Sequence, residues 1–352
     1  MKSSKAFFRG CLLGGAIGDA LGLPLENLSL EEIHDTYGET GIQDLILDVT
    51  AKTALISDDT QLTAFTVDGL LWADSRARKK GVYAYIPCLF YAYQKWLYTQ
   101  TGRFADKNYE FLLQGEILRW QELFARRDPG KTCLTALSGS INGKYGTIKN
   151  PINSSKGCGA VMRTAPIGLY FWHNPSMAFR MGCEGGAITH GHPDGYLPAG
   201  FFAWSIARII QGDTLMNAYH TGLEELRGWE KHQNTADLLE KAISMAQAKH
   251  QTKGVDWNPD VDLAQLGEGW TGDEAMAIAV YCTLAEPNDF SNAVRLAVNH
   301  GGDSDSTGAI CGNLMGAFHG CLEIPYPWIK DVELSDLLVY GADMLLSASK
   351  DR

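Results

Sequence analysis

Two short acidic segments carry the side chains best suited to chemistry in this chain. Residues 57–60 read Ser-Asp-Asp-Thr, and residues 303–307 read Asp-Ser-Asp-Ser-Thr. Each segment combines closely spaced carboxylates with hydroxyl groups, and such hard oxygen ligands are those that Mg²⁺ and Mn²⁺ prefer. Carboxylates brought together from both segments would repel each other strongly unless cations neutralised them. The two segments therefore predict the two halves of a Mg²⁺ or Mn²⁺ site that holds two ions.

Helix capping is the alternative explanation for each acidic segment taken alone. Ser, Asp and Thr are preferred N-cap residues, and the helix dipole favours a carboxylate near a helix start. The second segment, however, is preceded by Gly301 and Gly302. A simple cap does not require such a flexible backbone, whereas glycine suits a close approach of the chain to a ligand or an ion. The glycines therefore favour a binding site.

Helical periodicity dominates the elements that must position these segments. Apolar residues recur with helical spacing in ten stretches. These predicted helices cover residues 57–73, 83–98, 109–124, 176–188, 197–210, 235–248, 272–284, 288–298, 305–318 and 335–347. The best strand signal lies at residues 42–49, and it alternates poorly. The sequence therefore predicts an all-α protein, and one domain over residues 1–352 is the simplest way to join acidic segments that lie near opposite ends.

The apolar stretch at residues 11–17 is predicted to be a core helix. Arg9 and Asp19 bracket it closely, and no Ala-x-Ala cleavage pattern follows, so it does not resemble a signal peptide. No run of 18 apolar residues is present, and we expect no membrane-spanning segment.

Composition narrows the class of protein further. The formal net charge of −11 argues against a nucleic-acid binder, which would carry a basic patch. The eight cysteines form no Cys-x-x-Cys pair, and most have apolar or glycine neighbours. This pattern predicts reduced thiols in a cytoplasmic protein rather than disulfides or zinc ligands.

Four further segments combine glycine with polar or aromatic residues, and with the two acidic segments they form six motifs. The six motifs are residues 14–22 followed by Glu26, 57–60, 157–163, 189–193, 267–270 and 301–307. The first is not a dinucleotide fingerprint, because it lacks a preceding strand and the Gly-x-Gly-x-x-Gly spacing.

In this order the motifs resemble those of the ADP-ribosylglycohydrolase family, which includes dinitrogenase-reductase-activating glycohydrolases and the ADP-ribosylarginine and ADP-ribosylserine hydrolases. Four signatures carry the resemblance: Gly-Asp-Ala-Leu-Gly at 18–22, Asp-Asp-Thr at 58–60, Met-Arg-x-Ala-Pro at 162–166 and Gly-Gly-Asp-x-Asp at 301–305. They are jointly specific, and the resemblance extends from about residue 9 to about residue 320. It implies a compact all-α fold around a binuclear Mg²⁺ or Mn²⁺ centre.

The resemblance also implies roles for individual residues. The metal ligands carried over by position are Ser57, Asp58, Asp59, Asp303, Asp305 and Ser306. Family members often have Thr in place of the two serines, and Ser keeps the ligating oxygen. The segment expected to cradle the diphosphate comprises Gly157, Cys158, Gly159, Ala160, Val161 and Met162. His190 is expected to contact the ADP-ribose, and Glu26 matches a mobile glutamate that reaches the metals and the substrate.

Each of the following residues also has a structural interpretation that involves no ligand. Glu26 could be a solvent-facing loop carboxylate, and His190 a hydrogen-bonded core histidine. Arg163 is expected to pair with a buried carboxylate. Trp270 and Tyr196 could stack on adenine, although packing in the core or at a rim is the default.

The activity that the resemblance implies is Mg²⁺- or Mn²⁺-dependent release of ADP-ribose from ADP-ribosylated protein, with arginine as the favoured linkage. Cleavage of an N-glycosidic bond passes through an oxocarbenium-like state, and vicinal ribose hydroxyls are natural ligands for two ions. Asp303 or Glu26 could act as the general base or stabilise the developing positive charge. An ADP-ribosylserine conjugate or a small ADP-ribose conjugate is the alternative substrate.

Two rival functions account for parts of the sequence. Loss of metal ligands would favour a non-catalytic protein, such as an ADP-ribose reader, a crystallin-like protein or an immunity protein that blocks an ADP-ribosyltransferase toxin. Every expected ligand is present. A phosphatase of the haloacid-dehalogenase type would use the Asp-x-Asp-x-Thr at 303–307 after a buried strand. No strand pattern precedes it, and the chain ends 45 residues later, at residue 352.

Overall fold

The computed structural model describes residues 1–252 and 257–350. The predicted domain of residues 1–352 thus includes two short stretches that lie outside the described residues. The α-helices are α1 (Lys5–Gly22), α2 (Leu30–Tyr37), α3 (Asp58–Lys80), α4 (Tyr85–Thr101), α5 (Lys131–Ser138), α6 (Ala165–Tyr170), α7 (Pro175–Ala187), α8 (Pro193–Gln211), α9 (Leu215–Arg227), α10 (Gln233–Gln251), α11 (Pro259–Ala264), α12 (Gly272–Ala285), α13 (Phe290–Val298), α14 (Ser304–His319), α15 (Tyr326–Asp331) and α16 (Ser335–Ser349). Short 3₁₀ helices cover Leu23–Leu25, Lys107–Gln114, Glu116–Arg119, Gln121–Phe124 and Cys158–Ala160. The all-α prediction is confirmed.

The predicted helix at 109–124 is wrong, because this stretch forms three separate 3₁₀ helices. The backbone is extended at Gly115 and again at Trp120, with ψ values of 128° and 107°. Each extended residue ends one turn before the next begins. The turns still bury apolar side chains of the stretch, including Leu112, Ile117 and Leu123, which explains why their spacing imitated one amphipathic helix.

Residues 42–49, which carry the best strand signal in the sequence, form no strand, in agreement with their poor alternation. Within residues 1–252 and 257–350, β-pairing is limited to isolated bridges such as Leu47 with Ala54. The other nine predicted helices are present with shifted ends, and the core helix predicted at 11–17 is part of α1. Six helices were not predicted: α2, α5, α6, α9, α11 and α15. Five of them have only six to eight residues, too few for a periodic pattern to emerge.

Helices α1 and α14 pack against each other through glycines spaced four residues apart. The antiparallel pairs are Gly10 with Gly316, Gly14 with Gly312, and Gly18 with Gly308. A Cβ atom built on Gly18 would lie 1.9 Å from the carbonyl oxygen of Gly308, so the two backbones are in direct contact. Residues at i and i+4 share one helix face, which lets the contact continue along both helices. This contact places the end of α1 beside the start of α14.

The segment Lys5–Leu25 is long and apolar enough to cross a membrane, with a mean hydropathy of 1.3 over its best window. In this structure 78% of that window is buried inside the protein. Core helices of soluble proteins pass the same length and hydropathy test, and the burial agrees with the predicted core helix.

Candidate active site

The two acidic segments meet at the N-termini of α3 and α14. Ser57 is the N-cap residue of α3, and Asp303 is the N-cap residue of α14. Asp58 and Asp59 from the first segment and Asp303, Asp305 and Ser306 from the second line one cavity, so the two segments lie together. Two helix N-termini pointing at one place favour negative charge there. The tertiary structure thus brings together residues that are more than 240 positions apart.

Capping accounts for the serine but not for the carboxylates. The hydroxyl of Ser57 accepts a hydrogen bond of 3.2 Å from the backbone N–H of Asp59, as an N-cap residue does. The side chain of Asp303 makes no capping hydrogen bond. In the described part of the chain the Oδ2 atom of Asp59 is buried and has no hydrogen-bond partner. A buried carboxylate oxygen without a donor indicates that something other than helix capping explains this residue.

Asp19 is a site residue that sequence reasoning did not identify. Its carboxylate is fully buried and accepts hydrogen bonds from the backbone N–H of Ser57 at 2.9 Å and of Thr60 at 3.0 Å, and from the hydroxyl of Thr60. The side chain of one helix therefore satisfies the free N–H groups at the start of another. Asp19 lies next to Gly18 in the α1–α14 contact, and its place in the Gly-Asp-Ala-Leu-Gly signature was the available signal.

Six carboxyl groups form the acidic cluster: Asp19, Glu26, Asp58, Asp59, Asp303 and Asp305. Burial raises the pKa of each one, and repulsion by neighbouring carboxylates adds to the rise for all except Asp305. The pKa of Asp19 is raised to about 7, and the pKa values of Asp58 and Glu26 are each raised to about 8. The pKa values of Asp59, Asp303 and Asp305 are raised as well, mainly by burial. Within residues 1–252 and 257–350 no Lys, Arg or His forms an ion pair with any of the six. A bound cation would act in the opposite direction, because it stabilises the charged carboxylates.

The side-chain oxygens of this cluster are the kind of ligand that hard divalent cations bind, although as positioned they do not form a complete coordination site. Over the described residues, no three His, Cys, Asp or Glu side chains form a group that could hold a metal ion as they stand. The buried, unpartnered oxygen of Asp59 and the surrounding carboxylate and hydroxyl oxygens are nevertheless the ligand type that Mg²⁺ and Mn²⁺ take. The fit therefore rests on the chemistry of the ligand oxygens and on their burial.

A cavity of about 800 Å³ opens over this cluster. The predicted site residues that line it are Glu26, Asp58, Asp59, Gly157, Cys158, Gly159, Met162, His190, Asp303, Asp305 and Ser306. Ser57, Ala160 and Val161 were also predicted, but they are buried and are not among the lining residues described. Further lining residues that sequence reasoning missed include Arg126, Asp128, Lys131, Thr132 and Cys133. They lie in and before α5, a helix that was not predicted.

Residues 157–162 were expected to cradle the diphosphate, and a cradle of this kind would use successive backbone N–H groups as donors. The structure leaves few of these N–H groups free for an anion. The backbone N–H of Gly157 donates to Ser155, that of Cys158 to Trp270, and those of residues 161 and 162 to the carbonyl of Cys158. Most donors of the turn are therefore used inside the protein, because it closes a 3₁₀ helix and pairs with the segment before α12. Only Gly159 and Ala160 remain as candidates for backbone donors to an anion.

Cys158 contacts the acidic cluster directly. Its thiol lies 2.7 Å from Oδ2 of Asp303 and donates a hydrogen bond to it. Burial and the nearby negative charge of Asp303 and Asp59 raise the pKa of this thiol well above its ordinary value, so it stays protonated. The segment predicted to bind phosphate thus also holds one of the site carboxylates.

His190 is neutral and lines the cavity. Its pKa is lowered to about 3 by burial and by the positive charge of Arg163. The hydroxyl of Thr189 accepts a hydrogen bond from Arg163 at 2.7 Å and lies 2.8 Å from Nδ1 of His190. Thr189 therefore holds the imidazole ring through Nδ1. A Cβ atom built on Gly157 would lie 3.2 Å from Nε2, which places this ring nitrogen beside the predicted phosphate segment.

The prediction that Arg163 pairs with a buried carboxylate is wrong. Its guanidinium is fully buried, stacks 4.2 Å from the ring centroid of Tyr93, and donates to Thr189 and Gly185. Delocalised charge and a flat shape let arginine bury against an aromatic ring without a counter-ion. Arg163 therefore orients the His190 wall of the cavity through Thr189.

Glu26 and Trp270 lie at the cavity edge, whereas Tyr196 does not. Glu26 is half-buried and follows the 3₁₀ turn Leu23–Leu25, so it is not simply a solvent-facing loop residue. Trp270 lines the cavity with 38% of its surface exposed. Tyr196 is buried in α8 and packs in the core.

The fold and the site together define an all-helical class of protein with an acidic cavity between two helix N-termini. A family model described as ADP-ribosylglycohydrolase matches residues 2–352, and the chain belongs to this family. The chain is 26% identical over 331 residues to the ADP-ribosyl-[dinitrogen reductase] glycohydrolase of Rhodospirillum rubrum, covering 92% of this chain and 90% of the relative. It is 22% identical over 335 residues to the ADP-ribosylarginine hydrolase Tri1 of Pseudomonas putida, covering 93% of this chain and 74% of the relative.

A solved structure described as an ADP-ribosylglycohydrolase-related protein complex has the same fold. Its TM-score is 0.60 at 22% identity, and the match covers 99% of this chain and all of the other. Family membership and the named hydrolase relatives make this protein a glycosyl hydrolase that acts on ADP-ribose conjugates.

Proposed function

We propose that this protein is a Mg²⁺- or Mn²⁺-dependent hydrolase that cleaves the N-glycosidic bond of ADP-ribosylarginine in proteins and releases ADP-ribose. One observation carries the proposal: carboxylates from two helix N-termini converge at the floor of a cavity of about 800 Å³, with no ion pair among the described residues. Like charges buried together are maintained in proteins when they serve binding or catalysis.

The proposed ligands of two divalent cations are Ser57, Asp58, Asp59, Asp303, Asp305 and Ser306. Such ions, when bound, act as Lewis acids toward ribose hydroxyls and water. Asp19 is not proposed as a ligand, because the N–H and hydroxyl groups at the start of α3 already occupy its oxygens. Its role is to hold the α3 carboxylates in place.

The proposed substrate contacts separate into a ribose end and a diphosphate end. Glu26 and Asp303 line this cavity, and we assign to their carboxylates the stabilisation of the positive charge that develops on the ribose or the removal of a proton from the attacking water. Nε2 of His190 lies beside the segment at 157–159, and with a proton on this nitrogen the ring donates to an anionic oxygen of the diphosphate. Arg126 and Lys131 line the same cavity and supply positive charge for a diphosphate.

The arginine linkage is supported by the Tri1 relative, whose name gives it as an ADP-ribosylarginine hydrolase. The test is release of free ADP-ribose from an arginine-ADP-ribosylated protein, with Mg²⁺, with Mn²⁺ and with a chelator. We expect release with metal and none with the chelator. The Asp59→Asn variant should be inactive, and Glu116→Gln, which changes a carboxylate outside this cavity, should match the wild type.

Each result has a distinct meaning. Release in the presence of the chelator would refute the metal dependence. Release from a serine-linked substrate alone would refute the arginine linkage and keep the hydrolase. Binding of ADP-ribose without turnover of any conjugate would indicate a reader or a blocking protein instead.

A further inference from the structure

A second cavity adjoins the first and shares part of its wall. It has a volume of about 640 Å³, and both Asn27 and Trp270 line the two cavities. Its other lining residues come from the start of α2, from α11, from the 267–270 segment and from residues 300–302. A ligand that occupied both cavities would pass the Asn27–Trp270 wall close to the acidic cluster.

The shared wall is attached to the start of α14 by backbone contacts. The N–H of Asp303 donates to the carbonyl of Glu268 at 2.8 Å, and the N–H of Asn27 donates to the carbonyl of Gly302 at 3.3 Å. Gly302 has φ +134°, and a Cβ atom there would lie 2.2 Å from the carbonyl oxygen of Glu268. Only glycine permits this approach, so the second cavity is held in a defined place beside Asp303.

The two cavities differ in their basic residues. Arg126 and Lys131 line the first, together with Asp128 and carboxylates of the acidic cluster, whereas the described residues lining the second include Asp260 and Glu268 and no Lys or Arg. The carboxylate of Glu268 accepts a hydrogen bond of 3.1 Å from the indole N–H of Trp270, which fixes the direction of the ring. A carboxylate beside an oriented indole is a surface that suits a guanidinium, which pairs with acids and stacks on aromatic faces.

The substrate must extend from the reaction centre in two directions. In ADP-ribosylarginine the diphosphate is attached at one end of the ribose and the guanidinium at the anomeric carbon. Hydrolysis breaks the bond from the anomeric carbon to nitrogen, forms a bond from that carbon to a water oxygen, and leaves the water proton on the departing guanidine nitrogen. The guanidinium is positively charged before and after the step, because its pKa lies above 12.

We propose that the second cavity binds the acceptor side of the substrate, with Glu268, Asp260 and Trp270 recognising the guanidinium of the modified arginine. This inference rests on the proposed function and adds the direction in which the substrate lies. The diphosphate extends toward Arg126 and Lys131 in the first cavity, and the arginine side chain extends past Trp270 into the second cavity.

The test uses the full-length protein loaded with Mg²⁺ and ADP-ribosylarginine as the substrate. Glu268→Gln keeps an oxygen for the indole N–H of Trp270 but removes the charge, and Asp260→Asn removes the second charge. We expect KM to rise about threefold in Glu268→Gln and about tenfold in the double variant, since partly exposed charge pairs contribute modestly. Glu116→Gln is the matched control and should leave KM unchanged.

Two further readouts separate recognition from a general structural effect. The inhibition constant of free ADP-ribose, which has no guanidinium, should be the same in the wild type and the double variant. The KM of the wild type should rise with NaCl, and that dependence should weaken in the double variant.

The outcomes distinguish this inference from the proposed function. A wild type that cleaves no ADP-ribose conjugate would overturn the proposed function, and the inference with it. An active wild type whose double variant keeps the same KM would overturn the inference alone. An equal weakening of ADP-ribose inhibition would also overturn it, because the cavity would then bind the ADP-ribose itself.

Discussion

Replacing Gly18 by alanine should both destabilise the protein and damage the site. The new Cβ atom would lie 1.9 Å from the carbonyl oxygen of Gly308, and ordinary contact begins near 3.4 Å, so the backbones must separate by about 1.5 Å. Overpacking of this kind costs roughly 1–3 kcal/mol or more. The better helix propensity of alanine returns about 1 kcal/mol. Because the clash involves rigid backbone on both sides, we expect a net loss of about 2 kcal/mol in the free energy of unfolding.

The same separation should be felt at the acidic cluster. Asp19 is the next residue along α1, and its carboxylate holds the start of α3, while Gly308 lies in the second turn of α14. A shift of about 1.5 Å between the helices would move the two acidic segments apart. Misplacement of reacting groups by about 1 Å can cost roughly a hundredfold in rate. We therefore expect a loss of ADP-ribose release of at least tenfold.

Urea unfolding monitored by circular dichroism measures the first effect, and the ADP-ribose release assay measures the second. Gly185→Ala in α7 is the matched control, since the nearest atom to its Cβ is the flexible end of Ile167 at 3.2 Å. That variant should unfold within about 1 kcal/mol of the wild type and keep its activity. A Gly18→Ala protein with wild-type stability and wild-type turnover would refute the reasoning about the α1–α14 contact.

Three other predictions concern single side chains at the site. Asp59→Asn should raise the urea midpoint of the metal-free protein, because it removes one of several buried like charges, and a lower midpoint in the presence of chelator would contradict this. Cys158→Ser keeps a donor to Asp303 and should keep more activity than Cys158→Ala; equal turnover of the two variants would exclude a role for this hydrogen bond. The pKa of His190 is lowered to about 3, so the unfolded chain takes up a proton below about pH 6.5 while the folded protein does not. This contribution to stability is present above pH 6.5 and is lost as the pH falls toward 3, by about 2 kcal/mol at pH 5. The free energy of unfolding, measured with urea, should fall more between pH 7.5 and pH 5 in the wild type than in His190→Gln. An equal fall in the two proteins would refute this prediction.

The elements that the sequence predicted well are those whose signal is local. Long helices such as α3 and α12 show their apolar spacing within one segment, and N-cap residues such as Ser57 mark where a helix begins. The stretch at 109–124 has the same spacing and is not one helix, because extended residues at Gly115 and Trp120 interrupt it. Periodicity records which side chains are buried, and several short turns can bury the same set.

Residues that act through distant partners gave no such signal. Asp19 stood in a recognised signature, but nothing in the sequence showed that its carboxylate caps a helix that starts 39 residues later, at Asp58. Arg163 was expected to meet a carboxylate and instead stacks on Tyr93, since a buried guanidinium can be satisfied in more than one way. Residues 126–133 border the cavity from a segment whose sequence carries no motif at all.

The helical class, the family and the types of side chain in the site can be read from the local sequence, because carboxylates next to hydroxyls and glycines retain their chemistry wherever the chain takes them. Packing, in contrast, brings the segments at 57–60 and 303–307 to one cavity, places the second cavity beside it and makes His190 neutral. These properties depend on the close α1–α14 contact and on burial. Distance and burial set both repulsion and pKa, and they are properties of packing rather than of any single segment.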